Sequence, residues 1–79
     1  MKASVLIRPK DGILDPQGQA VEQSLRKLGF AVGHARVGRV VDLDIDASTV
    51  EEARARVDEM CKQLLANPLI ESYDVEVHA

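Results

Sequence analysis

Residues 31–46, AVGHARVGRVVDLDID, decide how this chain is read. Ala35, Val37, Val41, Leu43 and Ile45 share one parity, while His34, Arg36, Asp42, Asp44 and Asp46 share the other. A period of two puts one set in a core and the other in water, which is a strand pattern. Gly38 interrupts it. A two-residue turn at Gly38-Arg39 would pair Val37 with Val40 and send the aspartates inward. A three-residue turn through Val40, or one long strand bent at Gly38, keeps the apolar set together. The hairpin is the preferred reading, and it supplies two strands from this stretch.

On the N-terminal side, ASVLIRP alternates weakly around Val5 and Ile7 and ends at Pro9, as a first strand does. KDGIL is a loop, and a helix follows from Pro16 to about Leu28. Asp15 is a preferred cap and Pro16 fits the first helical position, where no N–H is needed. Val21, Leu25 and Leu28 fall on one face, and Gly29 supplies a stop that tolerates positive φ. Gly18 is out of place. One turn into a helix it weakens the element by up to about 1 kcal/mol relative to alanine, so something is expected to lie close against it.

On the C-terminal side, residues 46–68, DASTVEEARARVDEMCKQLLANP, form the clearest helical segment. Ser48 followed by Glu51 is read as a capping box. Val50, Ala53, Val57, Met60, Cys61 and Leu64 trace the apolar stripe, and Asn67-Pro68 stops it. IESYDVEVH alternates again, with Ile70, Tyr73, Val75 and Val77 apolar, and is the last strand. The whole is a single domain over residues 1–79, in the order β-α-β-β-α-β. That is an α+β, ferredoxin-like two-layer sandwich with two helices on one face of an antiparallel sheet. The topology hosts many functions and names none.

Composition narrows the classes. The net charge is −3 and Phe30 and Tyr73 are the only aromatic residues, which fits neither a phosphate-binding face nor a base-stacking platform. No nucleic acid is expected as a partner. No apolar run reaches membrane-spanning length and no signal-peptide core is visible, so a cytoplasmic protein without a membrane partner is expected. A domain of 79 residues rarely stands on its core alone. With Cys61 the only cysteine, and His34 and His78 far from ligand spacing, association with other subunits is the remaining staple.

Residues that could carry chemistry read more simply as structure. Asp42, Asp44 and Asp46 resemble a hard-metal cluster, but alternate strand positions lie about 7 Å apart and form a solvated face. Cys61, beside Met60 on the apolar stripe, is read as a small buried hydrophobe rather than a nucleophile. The helix start near Gly12 and Gly18 matches no phosphate-loop spacing, and Asp15 would repel an anion. Arg36 and Arg39 around Gly38 make a small basic turn that meets an acidic partner or stays hydrated. No catalytic, cofactor-binding or metal-ligating residue is expected.

Three stretches together, LDPQGQAVEQSL (14–25), ARVGR (35–39) and EMCKQLLANPLIESY (59–73), resemble the PurS family across essentially the whole chain. PurS is the small subunit of phosphoribosylformylglycinamidine synthase (EC 6.3.5.3), the glutamine-dependent, ATP-consuming amidotransferase of purine biosynthesis. The resemblance implies a subunit with no catalytic residues of its own. It would join a glutaminase subunit to a large synthetase subunit and assist ammonia transfer, with ATP, magnesium and glutamine handled by those partners. It also implies a homodimer or homotetramer. Carried over by position, the candidate partner-interface residues are Asp15, Pro16, Gln17, Gly18, Arg36, Gly38, Arg39, Asn67 and Pro68. Arg39 stands where the family commonly has lysine and keeps the charge. Nothing specific is expected of Lys10 or Asp11, in a loop that varies in the family. Gly18 is read as keeping the helix start flat for another chain's backbone, or for the protein's own KDG loop. A small-molecule regulatory module of the same topology is the alternative and would need a ligand pocket. An acylphosphatase-like enzyme would need a phosphate-cradling loop after the first strand, which PKDGILD around Arg8 does not provide.

Overall fold

The computed structural model describes residues 1–78. Strand β1 (Lys2–Pro9) is followed by helix α1 (Pro16–Lys27), strand β2 (Arg39–Asp44), helix α2 (Val50–Met60), a π-helical turn (Cys61–Leu65) and strand β3 (Glu71–His78). The sheet is antiparallel with β1 in the middle, in the order β2-β1-β3. Val5 is paired with Val41 on one side and with Val75 on the other. Beyond β2 the pairing continues through Met1, whose carbonyl accepts from the Ile45 N–H at 2.7 Å.

The α+β class, the antiparallel sheet and the two helices agree with the sequence reading. The strand count does not: residues 31–38 form no strand, so the expected hairpin is absent and the described sheet has three strands. The reason is where this segment's backbone groups go. The Val32 carbonyl accepts from Arg26 Nε at 2.9 Å, and the Val37 N–H donates to the Asp15 carboxylate at 2.9 Å. A stretch whose donors and acceptors are taken by α1 has fewer left for a ladder. Gly38 then crosses the end of β1 so closely that a Cβ there would strike the Ile7 carbonyl.

The core lies between the sheet and α2. Val5, Ile7, Val57 and Cys61 are fully buried, with Ala3, Ile45, Ala53 and Ala66 around them. Tyr73, Val75 and Val77 of β3 pack against that core from the same face. The α2 cap is one residue later than the sequence spacing implied. Thr49 Oγ1 accepts from the Glu52 N–H at 3.1 Å, and the Glu52 carboxylate accepts from the Ser48 N–H. The π-turn adds a residue to the last turn and shifts its phase. Leu65 and Ala66 therefore turn inward, and Leu64 is left 84% exposed.

Helix α1 departs from the expected two-helix layer. It packs at most marginally against any other element, and Gly18 is its only buried residue. An eight-residue strand spans about 27 Å and a 12-residue helix about 18 Å. Side by side they would fit within the strand's length, but the molecule is 49 Å long and 14 Å thick. The helix therefore continues the long axis as an arm. It closes with a Schellman motif: the Phe30 N–H bonds the Leu25 carbonyl, the Gly29 N–H bonds that of Arg26, and Gly29 sits at φ 98°.

Candidate partner interface

The nine residues singled out from sequence gather at one end of the sheet, where β1 stops, β3 begins and the α1 arm departs. Three loops meet there: residues 10–15, 34–38 and 66–70. The register explains it. Ile7 pairs with Arg39 and Pro9 with Glu71, so Arg39 and Glu71 flank the end of β1 from opposite sides. Both point to the α2 face, and the Arg39 guanidinium spans to the Glu71 carboxylate with two contacts, at 2.5 and 3.1 Å. It also donates to the Leu65 carbonyl at 2.6 Å, tying β2, β3 and the π-turn together. A forked donor set suits this task, and a lysine could supply only a point charge. The Arg39 hydrogen bond holds the Glu71 carboxyl below its usual range, helped by the Asn67 N–H. The same pairing raises Arg39.

Asn67 and Pro68 shape the turn into β3. The Asn67 side chain accepts from the Leu69 N–H at 3.1 Å, its carbonyl accepts from Ile70 and Glu71, and its own N–H donates to Glu71. The Pro68 carbonyl accepts from Lys10 Nζ at 2.6 Å. Arg36 donates to the Pro9 carbonyl at 3.1 Å and pairs with Asp11 at 2.8 Å. Lys10 and Asp11, of which the sequence promised nothing, thus tie their own loop to each of the other two. Their partners lie 58 and 25 residues away in sequence, beyond the reach of any local pattern.

Asp15, Pro16, Gln17 and Gly18 form the α1 side of this end. Asp15 stands at the N-cap position but lays its carboxylate over Gly18 to accept from the Val37 N–H, with no capping hydrogen bond of normal geometry to its own helix. The Val37 N–H is the main cause of its lowered pKa, with the N–H groups of Gly18 and Gln17 adding to it. Gly18 is buried because the Ala35 carbonyl and the Asp15 carboxylate occupy the space a Cβ would need. The chain's own segment after α1, rather than the KDG loop or a foreign backbone, is what lies against the glycine. Gly38 meets the end of β1 in the same way.

What this end offers a partner is apolar surface on a braced frame. A cleft of about 250 Å³ lies among Pro9, Ile13, Leu14, Val37 and Ile70, with Glu71 and Arg39 at its wall. Leu14 in its lining is 71% exposed, and Leu69, the chain neighbour of Ile70, is 82% exposed. Leu69 was not singled out from sequence, because inside LLANPLIESY it is indistinguishable from a core leucine. Outside this end, Cys61 is buried and its thiol is pushed up by burial, with Asp58 adding. The Tyr73 hydroxyl donates to Asp58 and is pushed up to about 12. His34 is exposed, and His78 lies 3.9 Å from Glu76 on the outer strand. No helix among the described residues is long and apolar enough to cross a membrane.

Comparison with known proteins agrees with this architecture. Residues 2–79 match the family model "PurS: Phosphoribosylformylglycinamidine (FGAM) synthase". The phosphoribosylformylglycinamidine synthase subunit PurS of Archaeoglobus fulgidus is 43% identical over 76 residues, 95% of each chain. The crystal structure of Methanocaldococcus jannaschii PurS is similar at TM-score 0.86 and 37% identity, over 98% of this chain and 94% of that one. PurLQS from Thermotoga maritima contains a chain similar at TM-score 0.87 and 32% identity, over 95% of this chain and 93% of that one. Matching over nearly its whole length in both sequence and fold, the chain belongs to the PurS family of phosphoribosylformylglycinamidine synthase subunits.

Proposed function

We propose that this subunit bridges the glutaminase and the ATP-dependent synthetase of its complex in the cytoplasm and assists ammonia transfer between them. It performs no chemistry of its own: ATP, magnesium and glutamine are bound by the partners, and this chain binds no cofactor. The observation that carries the reading is the end built by the three motif stretches. Their polar residues are spent on bonds within the chain, and the product is a rigid rim around exposed Ile13, Leu14, Leu69 and Ile70. Rigid, rimmed apolar patches serve protein partners. A bridge needs a second face, and the exposed stripe of α1 (Val21, Leu28) with Phe30 supplies one. We assign that second face to self-association, giving a homodimer or homotetramer.

The test is reconstitution with and without this subunit, comparing synthesis driven by glutamine with synthesis driven by free ammonia. Omission should depress the glutamine-driven reaction far more, and Leu14→Asp with Leu69→Asp should reproduce the omission. Equal loss of both reactions would show that the subunit supports the synthetase itself, and the transfer role would be dropped.

A further inference from the structure

Strand β3 forms one margin of the sheet, and its outer side is open along eight residues. The pairing says which backbone groups face out. The Lys10 N–H donates to the Ile70 carbonyl, so the even-numbered residues that follow exchange bonds with β1. The odd-numbered ones turn their N–H and C=O groups away from it. Tyr73, Val75 and Val77 therefore present a ladder with no strand on it. The Val75 carbonyl agrees, since it accepts from an Arg54 Nη1 that reaches across from α2 at 3.0 Å. A row of free ladder groups is a template for one more strand.

The two flanks of this edge define what such a strand carries. On the α2 side, a shallow groove of about 560 Å³ runs among Arg54, Ala55, Tyr73 and Val75, with Glu51 and Asp58 on its helix wall. On the opposite side of the sheet β3 carries Asp74 and Glu76, whose charged neighbours are Arg8 at 3.6 Å and His78 at 3.9 Å. An added strand alternates its side chains between those two sides. It fits with apolar residues over Ala55 and Tyr73 and basic residues beside Asp74 and Glu76. A second β3 does not fit: laid antiparallel across Val75, it sets Asp74 against Glu76 twice. With α1 given to self-association and the three-loop end to one subunit, a bridge still lacks an edge for the other. We infer that an extended segment of a partner subunit, alternating apolar and basic residues, adds to the open edge of β3 as a fourth strand. One of its N–H groups takes the Val75 carbonyl from Arg54. This inference rests on the bridging role proposed above and names its second docking edge.

The test is amide exchange on the full chain, alone and in the complex reconstituted with both partner subunits. The amides of Tyr73, Val75 and Val77 should exchange readily in the lone chain and slow by at least about tenfold in the complex. Those of Ser72, Asp74 and Glu76, already bonded to β1, should change little. Asp74→Lys combined with Glu76→Lys, on the side away from the core, should fold normally by circular dichroism and weaken binding to one partner subunit by about tenfold. A chain that binds neither subunit would overturn this inference together with the bridging role. Binding with the odd-numbered amides unslowed, or undiminished by the two lysines, would overturn the strand addition and leave that role standing. Slowing in the lone chain as its concentration rises would place a second copy on the edge and overturn it as well.

Discussion

Replacing Gly18 with alanine sets two effects of known size against each other. Helix propensity favours the change by up to about 1 kcal/mol. Against it, the new methyl would lie below 3.0 Å from the Ala35 carbonyl oxygen and an Asp15 carboxylate oxygen. The carboxylate can swing aside, but only by giving up the Val37 N–H. The carbonyl is backbone in a segment lashed to α1 by Arg26, and it can move only with that segment. Overpacking of this kind typically costs about 1–3 kcal/mol. With a backbone oxygen as the obstacle the cost lies at about 1.5–3 kcal/mol, and subtracting about 1 leaves a destabilisation of about 0.5–2 kcal/mol. With a urea slope near 1 kcal/mol per molar, as befits a small domain, the midpoint should fall by about 0.5–2 M. Urea unfolding followed by circular dichroism, at matched concentrations over a wide range, reads this directly. Gly33→Ala is the control, since nothing lies within 4 Å of its added methyl, and it should stay within about 0.5 kcal/mol. A Gly18→Ala variant as stable as the parent would refute the close approach of residues 34–38. An unchanged midpoint with weakened association would restore the foreign backbone in its place.

Three further outcomes follow from the same contacts. Tyr73 is the only tyrosine and there is no tryptophan, so tyrosinate absorbance reports it alone. The midpoint is expected near 12, with Asp58→Asn bringing it toward 10; a wild-type midpoint at the ordinary value would contradict the hydroxyl–carboxylate bond. Because the folded pKa is raised, that contribution to stability is complete below the ordinary value of 10 and is lost as pH climbs through about 12. Asp15, Asp58 and Glu71 are shifted the other way, chiefly by the Val37 N–H, the Tyr73 hydroxyl and Arg39 respectively. Their contribution is in place above their ordinary values of 3.8, 3.8 and 4.5 and is lost as pH falls through the lower folded ones. The urea midpoint should thus drop steeply in acid, and less so in Glu71→Gln; a midpoint indifferent to acid would speak against these bonds. Cys61, sealed beneath α2, should resist thiol reagents in the native state and react fully in denaturant. Native reaction at the rate of a free thiol would show that the core opens there.

Local signals carried much of this protein. The alternation of Val41, Leu43 and Ile45, the stripe of Ala53, Val57 and Cys61, and the caps around Pro16 and Gly29 each follow from a period or a φ requirement within a few residues. They were sufficient for three strands and two helices, for an antiparallel α+β class and, through three short motifs, for the family. The failures share one cause. Residues 31–38 alternate like a strand, but Asp15 and Arg26 take their backbone groups, a competition settled only when α1 is in place. Leu64 reads as core until the π-turn shifts its phase. The stripe of Val21, Leu25 and Leu28 reads as a core face, yet Val21 and Leu28 are exposed, because periodicity marks an apolar face without fixing what covers it. The Arg39–Glu71 and Lys10–Pro68 contacts span 32 and 58 residues. Periodicity sees neighbours a few residues apart. Only the register of three paired strands brings such distant groups together, and only there does a row of ordinary loop residues become a braced surface.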